Sequence, residues 1–326
     1  MALALLVSVS LGGCSFERMD AMISDLPYSI GSGNLFRMDE SRCPLAEARL
    51  YLYNYSAIYG GTYGRNLWDM DFEGQTLEEY VKNVSLEELT RIYCMDLLAE
   101  QQEIFLSEEE EALCAQAAEL YYASLSEEAL SYIDISETLL EEIYAHYALA
   151  DKLYQELTAS VNSEISDDEA RVMKVQQILV TDEASAQSAA EKLEEGMEFT
   201  AVAASYSTAR EVELYVDRDT YPEEVTEAAY NLDEGTFSDA IETDGCWYFI
   251  KVIDKYDEEL TEDHKKDILE TRREALFKAS YDPSAQEADY RLKSSEWEQM
   301  EPVSADSSLP GFFEIYEEVF GQNGEE

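Results

Sequence analysis

The stretch Met173 to Val180, "MKVQQILV", breaks a chain that reads as helix after helix up to that point. Just upstream, Ser166-x-x-Glu169 spells a capping box, in which each side chain caps the other's backbone N–H. From Val172 the residues become β-type, and the change of pattern marks a domain boundary. Two adjacent glutamines, Gln176 and Gln177, sit just before the apolar end of this strand. What they face decides what the strand is for.

Downstream the pattern predicts a helix from Asp182 to Glu195 closed by Gly196, a shorter one from Glu198 to Tyr206, and a third from Pro222 to Leu232 stopped at Gly235. Strands follow around Phe237 to Ile241 and at "CWYFIKVI", Cys246 to Ile253. Strand, helices, strand, strand in this order make a compact α+β module. An amphipathic helix comes next, "LTEDHKKDILETRREALFKASY", carrying Lys265, Lys266, Arg272, Arg273 and Lys278. Its positive charge predicts docking on the acidic surface between Ile92 and Asp151, where neither Lys nor Arg occurs. The apolar tail "SSLPGFFEIYEEVFG" is expected on that same first domain.

Upstream, a turn-rich linker leads to a short strand at Asn34 to Met38. Pro44 opens a helix that Gly60 and Gly61 should end. The segment "TLEEYVKNVSLEELTRIYCMDLLAEQQEIF" is strongly helical, and its Ser85-x-x-Glu88 box predicts a break or a second start near Val84. Further helices run from Ser107 to Ser124 and from Ser136 to about Val161. The carboxylates Glu108 to Glu111 follow Ser107 directly, which reads as an N-cap with acids on the positive helix end, not as a cation site. The many tyrosines of this region are read as core or as the lining of an apolar groove with an acidic rim.

Composition narrows the function. With 72 Asp plus Glu against 22 Lys plus Arg the formal charge is -50, which excludes nucleic acid and disfavours anionic lipid headgroups. The 326 residues suffice for two compact domains. The apolar run Ala2 to Leu11 is too short to span a bilayer, and it ends in Leu11-Gly12-Gly13-Cys14. An apolar run before small residues describes an export signal, although no basic residue precedes it. Cys43, Cys94, Cys114 and Cys246 show no metal-ligand spacing. His146 and His264 lie far apart on helices, and no hydrolase triad, P-loop or HExxH spacing appears, so neither metal nor cofactor is expected.

The pieces "QQILV", "AEKLEEGMEFTAVAASYS", "YPEEVTEAAYNLDEGTFSDAI" and "DGCWYFIKV", in this order, resemble the parvulin type of peptidyl-prolyl isomerase. The ending at Cys14 resembles the bacterial lipobox, whose cysteine is acylated. Lipobox, helical region, isomerase module and returning helix together are similar in layout to the PrsA/SurA foldases. The resemblance implies an α+β chain: signal peptide at 1–14, linker at 15–33, a mostly helical chaperone domain from 34 to 166, an inserted parvulin-like domain at 167–257, and a C-terminal return at 258–321. It implies unfolded, newly exported polypeptides as partners and lipid tethering at the extracytoplasmic face of a bacterial cell membrane. Where the family keeps two histidines, this sequence has Gln177 and Tyr248; where its prolyl pocket has methionine and phenylalanine, the best matches are Tyr221 and Val225. The family's Gly-rich segment is absent, its place taken by "AREVELYVDRD". Weak or lost isomerase activity is therefore expected, with a hydrogen bond from the Tyr248 hydroxyl to the Gln177 carbonyl replacing the histidine pair. Aromatic bulk at position 225, with Met at 221, is expected to restore the pocket. A solute-binding lipoprotein and a pure scaffold are the alternatives from other classes; the long helical stretch from Pro44 to Val161 counts against the two-lobed α/β form that the first requires.

If Cys14 carries the lipid, Cys14→Ser should move the protein from the membrane fraction to the soluble one, and fractionation of cells expressing the variant checks this.

Overall fold

The computed structural model describes residues 30–63, 68–72, 74–303 and 309–321. Cys14 and the apolar run before it lie outside the described residues. The fold is mostly helical α+β, and the chain divides into two compact units: residues up to 159 with those from 277 onward, and residues 160–276.

The first unit begins with strands β1 (Asn34–Met38) and β2 (Ser41–Pro44), an antiparallel pair, followed by helix α1 (Leu45–Tyr63). Gly60 and Gly61 do not stop α1; glycine costs a helix only about 1 kcal/mol per residue, so it weakens without terminating. A two-residue hairpin, β3 (Asp71–Phe72) with β4 (Gln75–Thr76), leads into α2 (Leu77–Gln101). The capping box that starts α2 belongs to Thr76 and Glu79, whose side chains each accept the other's backbone N–H. No break occurs at Ser85. That side chain is fully buried and its hydroxyl donates to the Val81 carbonyl one turn back, at 2.7 Å, so the expected cap is spent inside a continuous helix. Helices α3 (Glu108–Ser124), α4 (Glu127–Ile133) and α5 (Glu137–Thr158) follow, capped by Ser107, Ser126 and Ser136. Glu110 closes the Ser107 box, and the four carboxylates occupy the first turn of α3.

The second unit opens with the single turn α6 (Asp167–Ala170), capped by Ser166, and strand β5 (Met173–Val180). Asp182 caps α7 (Glu183–Glu194), and Gly196, at φ +83°, ends it in the left-handed conformation that glycine alone adopts cheaply. After α8 (Phe199–Tyr206) the stretch read as a mere connection forms a strand, β6 (Glu213–Val216). Then come α9 (Glu223–Asn231), β7 (Ile241–Thr243) and β8 (Cys246–Asp254). Asp244 and Gly245, both with positive φ, make the two-residue turn between β7 and β8. The sheet is antiparallel throughout, in the order β6-β5-β8-β7. One face is covered by α7 and α8 through Ala186, Ala189, Leu193, Phe199 and Val202 against Ile178, Val180 and Phe249. The other is covered by α9 through Val225, Ala229 and Tyr230 against Met173, Val175 and Ile250.

Helix α10 (Glu258–Glu287) carries the chain from the second unit back into the first. Four of the five cations expected to dock on the Ile92 to Asp151 surface pair elsewhere. Lys265 pairs with Asp167 and Glu262, Lys266 with Asp263, Arg272 with Glu169 and Arg273 with Glu270, all in the second unit. Glu262, Asp263 and Glu270 lie one turn away on the helix itself, Asp167 and Glu169 come from the α6 turn, and these pairs take up the charge. Strand β9 (Tyr290–Leu292) then pairs with β1 in the register Phe36↔Leu292 and Met38↔Tyr290, giving a three-stranded sheet β2-β1-β9. Arg37 and Asp289 close the same junction as an ion pair.

After the short helix α11 (Ser294–Glu298), α12 (Phe312–Gly321) ends the described chain. Phe312 enters a cage of tyrosines: its ring stacks on Tyr144 at 4.1 Å and meets Tyr51, Tyr121 and Tyr147 at 5.7 to 6.0 Å. The cage also reads its backbone, with Asn54 Oδ1 accepting the Phe312 N–H at 2.8 Å and the Tyr144 hydroxyl donating to the Phe312 carbonyl at 3.0 Å. Tyr51, Tyr55, Tyr93, Tyr121, Tyr144 and Tyr147 are all buried, so these tyrosines form core and not the expected groove lining. The remaining free thiols of the first unit, Cys43, Cys94 and Cys114, are buried as well.

Phe312→Ala should empty this cage. The expected cost is about 3–5 kcal/mol of stability, read from the denaturant midpoint of the full chain, as for other buried Phe truncations.

Candidate functional site

Strand β5 explains the two glutamines. In its first half the buried side chains are Met173 and Val175, on the face that α9 covers; in its second half they are Ile178 and Val180, on the face that α7 and α8 cover. Gln176 and Gln177 lie where one cover ends and the other begins, so each projects past the edge of a helix. Gln176 points to the α7–α8 side and its amide donates to Glu213 on β6 at 3.1 Å. Gln177 points to the α9 side and is tied at both ends. Its Nε2 donates to the Glu211 carbonyl at 2.9 Å, and its Oε1 accepts from the Tyr221 hydroxyl at 3.0 Å.

This corrects the expected partner. The register pairs Gln177 with Ile250 and Leu179 with Tyr248, so Tyr248 lies on the same face but two residues along the strand from the position opposite Gln177. A tyrosine hydroxyl does reach the Gln177 carbonyl, but Tyr221 supplies it, from the segment just before α9. Tyr248 completes the group through its ring, which meets that of Tyr221 edge to face at 5.9 Å and 71°. Gln177, Tyr221 and Tyr248 are thus brought together, all half-buried.

Val225 is not part of this surface. It is wholly buried between α9 and the sheet, beside Met173, Val175, Val216 and Ile250. The reason lies in helix phase: Val225, Ala229 and Tyr230 point inward from α9, and Val225 is the first inward residue of that helix. Sequence reasoning matched Tyr221 to the methionine of the prolyl pocket and did not anticipate the bond its hydroxyl makes. No local signal reveals a bond to a residue 44 positions away.

The site is neutral. Burial, then the neighbouring Tyr248, pushes the Tyr221 phenol well above its ordinary range, and burial, followed by Cys246 and Asp244, pushes Tyr248 up. Both hydroxyls stay protonated at neutral pH, so Gln177, Tyr221 and Tyr248 offer hydrogen bonds and apolar ring faces without a charge. His264 serves a different end, its Nδ1 lying 2.9 Å from the Ala170 carbonyl at the start of the unit. Beside it, Arg171 and Arg218 stack on Tyr230 at 4.4 and 4.3 Å, and both pair with Asp168. Among the described residues no group of three or more His, Cys, Asp or Glu side chains is placed to hold a metal ion.

Residues 151–267 match the family model of the PPIC-type PPIASE domain. Over 248 residues the chain is 25% identical to the foldase protein PrsA of Caldanaerobacter subterraneus, covering 67% of this chain and 76% of that relative. A shorter match of 111 residues, 36% identical, is to foldase protein PrsA 3 of Bacillus cereus, of which it covers 39%. Among solved structures, a PrsA peptidylprolyl isomerase from Bacillus cereus aligns over 77% of this chain and 97% of its own, at 19% identity and a TM-score of 0.39.

Val225→Phe should overfill the α9 core and cost about 1–3 kcal/mol without opening a pocket. Tyr221→Phe, which strands the Gln177 carbonyl at a half-buried position, should cost about 1 kcal/mol. Denaturant unfolding of each variant measures both.

Proposed function

We propose that this chain, PrsA/SurA-like and bearing a PPIC-type isomerase domain, is a lipid-anchored extracytoplasmic foldase that assists newly exported polypeptides mainly by binding them, its isomerase site being weak or silent. The observation that carries this reading is the Gln177–Tyr221–Tyr248 group, a neutral cluster whose members are bonded and packed to one another.

Rotation about an X–Pro bond must overcome a barrier of roughly 20 kcal/mol that resonance imposes, and a catalyst has to favour the twisted amide over the planar one. No nucleophile is needed; donors aimed at the twisted amide and a dry apolar pocket suffice. Here two of the four side-chain donors are committed. The Tyr221 hydroxyl is spent on Gln177, and one Gln177 N–H is spent on the Glu211 carbonyl. A substrate amide would meet only the second Gln177 N–H and the Tyr248 hydroxyl as remaining donors, and Val225, at the position matched to the family's pocket phenylalanine, is packed into the core. Membrane attachment rests on Cys14, which follows the apolar run Ala2 to Leu11 and the small residues Gly12 and Gly13. The client preference follows from charge: a formal -50 attracts basic unfolded segments and repels acidic ones.

Two measurements test the proposal. In a proline-isomerisation assay the chain lacking residues 1–14 should give little acceleration, and whatever rate remains should show no step between about pH 6 and 7, the ordinary imidazole range. In an aggregation assay the same chain should delay precipitation of denatured clients, more for basic clients and more at low salt. Isomerisation as fast as that of a histidine-bearing parvulin overturns the silent site; no delay for any of several clients overturns the foldase reading.

A further inference from the structure

The core of the first unit contains a group of titratable side chains that the proposed function does not use. Glu47, on α1, is 1% exposed. One of its oxygens accepts the Tyr93 hydroxyl at 2.6 Å; the other, Oε1, is sealed from solvent and has no hydrogen-bond partner. His146, on α5, turns Nδ1 toward that oxygen at 3.8 Å, and the same nitrogen lies 4.0 Å from Oδ2 of Asp96 on α2. His146 Nδ1 and Asp96 Oδ1 are likewise sealed and without hydrogen-bond partners. Three buried polar atoms from three helices therefore lack hydrogen bonds in one place, and such atoms are costly unless charge compensates them.

We propose that Glu47, Asp96 and His146 form a proton-operated clasp, which holds α1, α2 and α5 together while the imidazole is charged and slackens as the surroundings turn alkaline. The charges acting on His146 are Glu47 from α1, Asp96 from α2 and Glu142 from its own helix. Those acting on Asp96 are His146 and Glu47. Tyr93 faces the imidazole ring at 5.4 Å, and the Cys43 thiol of β2 lies beside Glu47. His146 is thus the sole cation in the group, set among carboxylates of one sign. About a third of its side chain remains open, at 37%, so the ring exchanges protons with solvent although Nδ1 is sealed.

The direction of the effect follows from the two displaced groups. Burial works against the charged imidazole, but Glu47, Asp96 and Glu142 more than offset it and push His146 up to about 9. Burial also pushes Asp96 up to about 7, His146 opposing this and Glu47 adding to it. A group held above its ordinary value binds its proton more tightly in the folded state, so its contribution is whole below the ordinary value and is lost as pH rises through the folded one. For Asp96 the loss runs from about 4 to 7 and overlaps the titration of ordinary carboxylates. For His146 it runs from 6.5 to about 9, where ordinary carboxylates are already ionised.

The test uses the full chain. His146 and His264 are its two histidines, so His264→Gln leaves one imidazole whose ring proton can be followed by NMR. We expect a midpoint near 9, moved toward 6.5 by Asp96→Asn, and a melting temperature that falls by several degrees between pH 6.5 and 9.5. His146→Gln should remove most of that fall. An imidazole midpoint at or below 6.5 overturns the clasp, as does a melting temperature that is flat over the window or falls equally in His146→Gln. If His146→Gln does not fold, the imidazole midpoint and the slope of the Asp96→Asn variant decide the matter.

Discussion

Strand β5 is hydrogen-bonded along both edges, to β6 and to β8, and is covered on both faces, but by different helices over its two halves. Everything at the candidate site depends on that changeover. A side chain at the crossing point is fixed by a strand in the middle of the sheet and yet is left half open by the helices. Backbone precision and partial exposure rarely coincide on a loop, and a buried central strand supplies the first while the gap between covers supplies the second. In this chain the position holds a neutral amide, and the Tyr221 hydroxyl from before α9 and the Glu211 carbonyl from before β6 close on it. The result is a staple joining three segments of the second unit.

The first unit is built on the opposite principle, closure between distant parts of the chain. Strand β1 receives β9 on its open edge, with residues 37 and 289 paired in charge, and the tyrosine cage of α1, α3 and α5 receives Phe312. Such contacts are slow to form because the loop entropy is lost before any contact offsets it. They also confer cooperation: neither the small sheet nor the cage is complete until the C-terminal segment has returned. Two-stranded ribbons are marginal alone, and the third strand is what makes β1 and β2 a sheet.

Local chemistry was readable and distant chemistry was not. Ser107, Ser136, Ser166 and Asp182 cap helices because a side-chain oxygen next to an apolar repeat has few other uses, and the mostly helical α+β class follows from those repeats. Ser85 misled because the same four-residue pattern also fits a buried serine bonding back to its own helix, and only burial separates the two. Strand β6 was missed since Glu213–Val216 alternates over only four residues and lies at the sheet edge. Gln177 was legible as an unusual polar residue at a strand's apolar end. Its partner was not, because the register of β5 against β8 and the phase of α9 are tertiary facts. The phase moved Val225 inward, and the register moved Tyr248 two residues along from Gln177 and left the bond to Tyr221.

Charge ties the two units to one environment. Cations in the second unit are largely matched by carboxylates close by: Lys174 by Glu213, Lys192 by Glu195, Arg218 by Asp168, Arg272 by Glu169. Exposed pairs of this kind contribute little stability, about 0–1 kcal/mol each, but they decide what field remains. Once each cation has a nearby acid, the uncompensated carboxylates set the outward potential, and 72 acids against 22 bases leave most of them uncompensated. Such a surface is costly to compact, since like charges repel, and burial of the tyrosine and leucine core of the first unit works against that repulsion. A chain so charged meets basic, unfolded segments faster than acidic ones, and it loses that advantage as salt screens the field over about 10 Å at 0.1 M ionic strength. That field acts at long range and needs no charged group at Gln177, Tyr221 and Tyr248, which are neutral at neutral pH in a protein whose surface is not.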